Sequence, residues 1–510
     1  MDSDAPGTAH HGAVLARGAF FNALAFFASN LRGIFTFLVA RLLGSVALGT
    51  FGLAWSVTDL VSKLGTAGMD TAAIPAVAEH ELSGDVAGSR RVLRASLTIS
   101  LSTAFVLMAA AVLVTRVLPA WNVASPELLR ATGLMLFALP GVVLYRVSNA
   151  LSRGKGVMHH DVYSRGFTES LGTTAVLLVA IAVGFRRLAP EVAAIGGTLA
   201  SGIVAFLVAR PLFMKAPVTP LRTGEVRALV GRSVPIAFYD LCNIGIMQVD
   251  LIMLGLFVGH APGVTAETLG IYTAATEIAG GLRKVNSAFN PIFAPIVAQQ
   301  ISAGRIDKAE ESYAYLARWM LGILLPAVIG MAIGSDALMS IFGPSFRGGT
   351  VWLMIVATAC ALNAFVGLGE TILMIKRPAV NLFNSATALS ITVGANLILI
   401  PRYGPLGAAI GMLIPYSIQG ILRGVEIPLL FKWRWPWREL QRPWVAAIAA
   451  APVPILLRLY TGRNAAAEVG AMALYLGSYF LVWRIMGLDP SDRAVLRHLM
   501  GRDEPSSQTA

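Results

Sequence analysis

Cysteine is nearly absent: Cys242 and Cys360 are the two in 510 residues, both inside apolar stretches. That leaves no disulfide framework and no thiolate set for zinc or redox chemistry. Charge is scarce as well, since Asp, Glu, Lys and Arg make up 13% of the chain, about half of the ~25% usual in a soluble domain. Long polar segments are also missing. With apolar runs of about 20 residues set aside, the connections average roughly 15 residues, far below the ~50 an independent domain needs. A separate soluble catalytic domain is thereby excluded, and the chain is expected not to be an enzyme. No GxxxxGK[ST] loop occurs, so no nucleotide phosphate site is expected. The net charge of +12 is scattered in small groups without a long basic tract, which argues against a nucleic-acid partner.

What is present is apolar sequence, 56% hydrophobic with a mean hydropathy of +0.68. The runs are continuous and too long for the alternating strands of a transmembrane barrel. The expectation is an all-α polytopic membrane protein with about 14 transmembrane helices. Their approximate ranges are 19–40, 47–68, 95–116, 130–150, 168–186, 192–212, 233–258, 268–290, 316–342, 350–374, 380–400, 405–431, 443–459 and 466–486. The segment MDSDAPGTAHHGAVLARG lacks a basic n-region, and the apolar run after it is too long for a cleaved signal, so span 1 is expected to be retained. Of the 40 Lys and Arg, 24 fall on the side of the N-terminus, 9 on the opposite side and 7 within spans. Basic loops stay on the cytoplasmic side, which places both termini there, in the inner membrane.

An internal repeat is visible. Leu48-Gly49-Thr50-Phe51 opens span 2 as Leu269-Gly270-Ile271-Tyr272 opens span 8. Each is followed by a helix ending in a similar phrase, PAVAEHELSG from Pro75 and PIVAQQISAG from Pro295. The shift is 221 for the first pair and 220 for the second. Six spans per unit give both copies one orientation, hence two lobes related by an axis along the membrane normal. The expected division is a cytoplasmic tail 1–17, an N-lobe 18–215, a C-lobe 216–432, a C-terminal helix pair 433–487 and a largely disordered cytoplasmic tail 488–510.

Ionisable side chains within apolar spans are costly and face a partner or an aqueous path. Here they form stripes. Asn22, Ser29, Arg32 and Thr36 share a face of span 1, and Ser56, Asp59, Lys63, Thr66 and Asp70 share one of span 2. Span 4 offers Arg146, Asn149 and Arg153. In the second lobe Asp240, Asn243, Met247 and Asp250 align on span 7, Glu277 and Lys284 on span 8, and Asn363 and Glu370 on span 10. Arg32, Lys63, Arg146 and Lys284 are the candidates for a cationic lumen. Lys284 is preferred over Arg283 because Glu277 lies on its side of the helix. Asp59 and Lys63, at i,i+4, read either as a self-neutralising pair or as a counter-charge with a lumen cation. Asp59, Asp240, Asp250, Glu277 and Glu370 read as ion-coupling sites or counter-charges, and Asp240 and Asp250 also as helix-end anchors. His10-His11 and His159-His160 read as solvated pairs, with no metal or cofactor expected. Trp433, Trp435, Trp437 and Trp444 read as an interfacial belt, and Val86 to Leu97 as a segment along the cytoplasmic interface, its arginines facing anionic membrane lipids.

The stretch RLLGSVALGTFGLAWSVTDLVSKLGTAGMDTAAIPAVAEH, Arg41 to His80, resembles the first-lobe phrase of the polysaccharide and oligosaccharidyl-lipid flippases. These belong to the multidrug/oligosaccharidyl-lipid/polysaccharide (MOP) superfamily. QVDLIMLGLF, Gln248 to Phe257, and LGIYTAATEI, Leu269 to Ile278, resemble its second-lobe phrase. The resemblance implies transbilayer movement of an undecaprenyl-diphosphate-linked oligosaccharide by alternating access, for polysaccharide biosynthesis, without ATP hydrolysis by the protein. It implies membrane lipids and a polysaccharide polymerase or glycosyltransferase as partners, and spans 13 and 14 bordering a groove for the lipid tail. The rival reading is an ion-coupled multidrug or organic-cation antiporter of the same superfamily. That rival usually ends at twelve spans and wants an acidic lumen.

Overall fold

The computed structural model describes residues 32–117, 125–215, 217–461 and 464–486. Every regular element among them is helical, as apolar runs in a bilayer require, because each backbone N–H and C=O must be satisfied within its own segment. Among the described residues eleven helices are long and apolar enough to cross a membrane, and the chain is a multi-pass membrane protein. On the expected division, the first lobe holds α1 (Arg32–Thr66), α2 (Met69–Leu82), α3 (Val86–Val117), α4 (Pro126–Met135), α5 (Leu139–Gly154), α6 (Ser170–Ala182) and α7 (Ala189–Ala209). The second holds α8 (Thr223–Leu256), α9 (Ala266–Ser302), α10 (Ile306–Ile333), α11 (Ser335–Phe342), α12 (Thr350–Lys376), α13 (Pro378–Tyr403) and α14 (Pro405–Phe431). The expected C-terminal pair of spans is built from three helices, α15 (Trp437–Ala450) and α16 (Pro452–Thr461) in succession and α17 (Ala465–Ile485).

Several expected loops are shorter than their sequences suggested. Spans 1 and 2 are joined at one residue, Gly44, whose φ of 88° and ψ of −178° bend α1 without a connecting loop. Only glycine enters that region cheaply. The start of span 1 and both tails lie outside the described residues. α1 ends at Thr66, and Ala67 and Gly68 turn the chain through left-handed backbone (φ 50° and 74°) straight into α2. The stretch 69–94, set between spans 2 and 3 with a helix expected to end in the phrase from Pro75, is helical except at 83–85. The Val86–Leu97 segment is likewise the first turns of the 32-residue α3 rather than a separate surface element. Expected spans 168–186 and 268–290 lie on α6 and α9, outside the eleven apolar candidates. α6 has 13 residues, and α9 carries Glu277, Arg283 and Lys284. A π-helical turn, Val162–Glu169, precedes α6.

One buried apolar cluster runs through both lobes. A second joins α2, α3 and α5 with Phe213 and Leu229. A third fixes the C-terminal pair to α10 through Ile333, Ala447, Tyr475 and Tyr479. Polar contacts brace that union at both ends. Arg318 Nη1 donates to Glu439 Oε2 at 2.9 Å, and the Ala337 amide at the start of α11 donates to Glu468 Oε2 at 2.8 Å. The tryptophan belt divides. Trp433 is core, its ring 5.7 Å from Tyr313, whereas Trp437 and Trp444 are exposed.

Candidate functional site

The lobes meet along a seam formed by α1 with α8 and α9. On the expected topology, the bend at Gly44 marks its outer end and the turn at Gly68 its inner end. At the outer end the contact is backbone on backbone. A Cβ added to Gly270 would lie 1.8 Å from the Ser45 carbonyl oxygen, and one on Gly49 2.6 Å from the Ala266 carbonyl oxygen. The glycines that mark the repeat in sequence thus pack against each other. Small residues allow this close approach of helices in lipid.

Further in, the seam turns polar. Gln248 of α8 bridges the lobes: its Oε1 accepts from Ser56 Oγ at 2.8 Å and its Nε2 donates to Asp59 Oδ2 at 3.0 Å. Asp59 Oδ1 accepts from Arg146 Nη2 of α5 at 2.5 Å. One turn on, Lys63 Nζ donates to Asp70 Oδ2 at 2.7 Å and to Asp240 Oδ2 of the opposite lobe at 3.0 Å. Asp59 and Lys63 therefore do not pair with each other. The tight turn at Ala67 and Gly68 brings Asp70 back to Lys63, and the guanidinium from α5 takes Asp59. Lys63 and Arg146, expected as lumen cations, are both matched by carboxylates. The cluster holds three acids, Asp59, Asp70 and Asp240, against these two bases.

Below it the backbones close again, since a Cβ on Gly68 would lie 2.3 Å from the Ser233 carbonyl oxygen. At the rim Arg232 Nη1 reaches Glu79 at 2.8 Å. The buried Arg91 gives a bidentate pair to Glu225, at 2.7 and 2.9 Å. Arg91 also meets Asp85 at 3.1 Å. The Gly88 amide, with help from Arg91 and His80, holds the Asp85 carboxyl below the usual carboxylate range.

The C-lobe carries a second set. Asp250, 2% exposed, accepts from the Tyr272 hydroxyl at 2.5 Å. Arg283, passed over on the sequence, lies within electrostatic range of Asp250 and Glu277, and its neighbour Lys284 is half-buried. Lys284 is the repeat mate of Lys63, since both Lys63 to Lys284 and Gly49 to Gly270 span 221 positions. Glu370 accepts from the Tyr239 hydroxyl and from Arg423 Nη2 at 3.3 Å. The buried Arg423 also reaches Asn381 Oδ1 at 3.0 Å and the Val366 carbonyl at 3.1 Å. Gln248, Tyr239, Asn381 and Arg423 were not singled out, although amides and an arginine inside apolar spans were the available signal. The Arg32 side chain, with Asn22 and Ser29, lies outside the described residues.

The histidine pairs differ from expectation where they are described. His160 is buried, its Nδ1 2.9 Å from Ser152 Oγ, and that burial holds its imidazole below the ordinary value. Asp161 beside it accepts from Asn149 Nδ2 at 2.8 Å. His10 and His11 lie outside the described residues. Among the described residues no group of three His, Cys, Asp or Glu is placed to hold a metal ion.

Comparison with known proteins follows the same lines. A family model described as "Polysaccharide biosynthesis protein" matches residues 15–300. A curated relative, the probable low-salt glycan biosynthesis flippase Agl15 of Haloferax volcanii, is 22% identical over 235 residues, covering 45% of this chain. The match spans about half of that relative's length, 47%. Among solved structures, the fold is similar to the lipid II flippase MurJ in an inward closed conformation. There the TM-score is 0.71 at 13% identity, over 94% of this chain and 100% of that one. It is also similar to an inward-facing multidrug resistance MATE transporter of the MOP superfamily. That TM-score is 0.64 at 16% identity, over 79% of this chain and 94% of the other. A Pyrococcus furiosus MOP transporter, described as having a binding pocket of reverse polarity, aligns with a TM-score of 0.57 at 15% identity, over 81% and 94% of the two chains.

Proposed function

From the premise that the chain belongs to the polysaccharide biosynthesis protein family, we propose that it carries a lipid-linked oligosaccharide across the inner membrane by alternating access of its two lobes. It acts as a carrier and not as an enzyme. The observation that carries this reading is the chemistry of the seam. Its inner half is closed by side-chain ion pairs between lobes, Lys63 with Asp240 and Arg232 with Glu79. Such bonds can be exchanged for water or cargo without unfolding a helix. Sugars would be met by the amide and hydroxyl at the seam, Gln248 and Ser56. The diphosphate of an undecaprenyl carrier calls for fixed positive charge in a low-dielectric path. Arg32, Arg283 and Lys284 are the residues proposed to supply it, with Lys63 and Arg146 contributing once the seam parts. Both termini are proposed to be cytoplasmic, and a polymerase or glycosyltransferase to work alongside.

One observation favours the rival reading of an ion-coupled cation antiporter: the three carboxylates of the seam outnumber its two bases. The two readings separate in reconstituted vesicles. Arg32→Gln and Lys284→Gln proteins are expected to reach the membrane at normal abundance and to lose most flipping of an undecaprenyl-diphosphate-linked saccharide, with Arg/Lys exchanges keeping part of it. Normal flipping by well-expressed Gln variants would overturn the cationic role. Cation efflux without flipping by the native protein would establish the rival.

A further inference from the structure

Lys63 is shared between two carboxylates that belong to different lobes. Asp70 sits on its own lobe, its side chain 9% exposed, while Asp240 comes from α8 of the opposite lobe and is 21% exposed. An ammonium has three donors. One is committed within the N-lobe, and one crosses the seam. When the inner seam parts, Asp240 leaves with α8 and Asp70 stays. The donor direction that Asp240 Oδ2 occupied at 3.0 Å then faces the opening. The groups facing Asp240 electrostatically are Lys63, Asp70 and Arg146. On its own helix, Tyr239 is turned to Glu370 and Asn243 to Ser385. The N-lobe set left behind, Asp59 and Asp70 with Lys63 and Arg146, is neutral, so an anion arriving at Lys63 replaces one anion by another.

We propose that Asp240 is a built-in stand-in for a phosphate oxygen of the cargo: it holds Lys63 while the carrier is empty, keeps the inner seam shut, and is displaced by the diphosphate of the lipid carrier. Loading and inner opening are thereby one exchange of partners on one ammonium. This rests on the lipid-linked cargo proposed above. Asp240 is accordingly a positioning residue whose removal loosens the seam, and whose carboxylate competes with substrate. The backbone contact of Gly68 with Ser233 lies directly below, so it must separate for any cargo to reach Lys63 from the inner side. Ser233, buried in the closed seam, is the natural reporter.

The test uses the full chain in nanodiscs, with Cys242→Ala, Cys360→Ala and Ser233→Cys, and a membrane-impermeant thiol reagent. The probe is geranylgeranyl diphosphate, with geranylgeraniol as its uncharged control. In the empty protein, Asp240→Asn should speed labelling at position 233 by about tenfold or more, the factor carried by one hydrogen bond between charged groups. The probe should speed labelling of the Asp240 protein by a similar factor, geranylgeraniol should not, and the probe should add little to D240N. Asp240→Ser serves the same purpose if D240N does not accumulate. Labelling of the empty variant at the parental rate, an equal probe effect with and without Asp240, or an equal effect of the alcohol would each overturn the exchange. Flipping of lipid-linked saccharide in vesicles is scored separately. Its absence in the native protein sinks the cargo reading, whereas normal flipping with no effect of D240N on labelling sinks only the exchange.

Discussion

At the outer end of the seam, Gly49 and Gly270 bring two helix backbones into contact with no charge between them. Three turns further in, a charged cluster lies at the seam: Lys63 crosses it to Asp240, while Asp59 with Arg146 and Asp70 with Lys63 pair within the N-lobe. A glycine contact depends on shape alone: it has no partner to exchange and no dependence on salt. An ion pair is the opposite, since each member keeps its affinity for water and for any competing ion. The two ends of one interface thus have different ways of failing, and substitutions can separate them.

The largest effect is expected in the inner cluster. Arg146→Met leaves Asp59, only 12% exposed as a side chain, without its guanidinium, and breaking a buried pair in this way costs about 3–5 kcal/mol. Thermal unfolding in detergent should show it, and adding Asp59→Asn should restore more than half of the loss. If R146M unfolds like the parent protein, the Arg146–Asp59 pair does not stabilise the N-lobe side of the cluster. Next in size is Gly270→Ala, whose Cβ would meet Ser45 backbone at 1.8 Å. Overpacking of this kind costs about 1–3 kcal/mol, and the loss should be the same in low and high salt. Gly281→Ala, with nothing within 4 Å of the added carbon, should be neutral. Equal loss at both glycines would remove the shape argument. The smallest effect is expected at the rim. Arg232→Ala breaks an exposed pair with Glu79, worth about 0.2–1 kcal/mol, and the difference should fade as salt is raised.

Much of the outer contact was legible in the sequence, because the repeat and the contact are the same residues. Leu48-Gly49 and Leu269-Gly270 read as duplicated phrases, and both glycines carry a steric requirement that limits what can replace them. The inner cluster was legible in membership and not in pairing. Asp59, Lys63, Arg146 and Asp240 were picked out as charges within apolar spans, since the cost of burial makes such residues conspicuous. Their partners were not, because the i,i+4 rule describes one straight helix, while Lys63 reaches 7 residues on and 177 residues on for its two carboxylates. Lys284 was preferred to Arg283 because Glu277 shares its side of the helix, a rule of one helix that takes no account of charges on neighbouring helices such as Asp250. Arg423 was counted only among the in-span charges and Asn381 was not picked out, since their partner Glu370 lies on a different helix. Between spans 2 and 3 the helix ending in the phrase from Pro75 was read, its alanines and glutamates forming helix readily, but its break from span 2 at Ala67 and Gly68 was not.

The brace on α10 and α11 also sets a clock. Arg318 finds Glu439 121 residues later, and the Ala337 amide finds Glu468 131 residues later. Synthesis proceeds at about 5–20 residues per second, so α11 enters the membrane roughly 7 to 26 s before the carboxylate that caps it has been made. For that interval the C-lobe is an unfinished object in the bilayer, with its closing contacts still in the ribosome. The last described helix, α17, is therefore the one that completes the lobe, and quality control of this chain has a defined window in which to act.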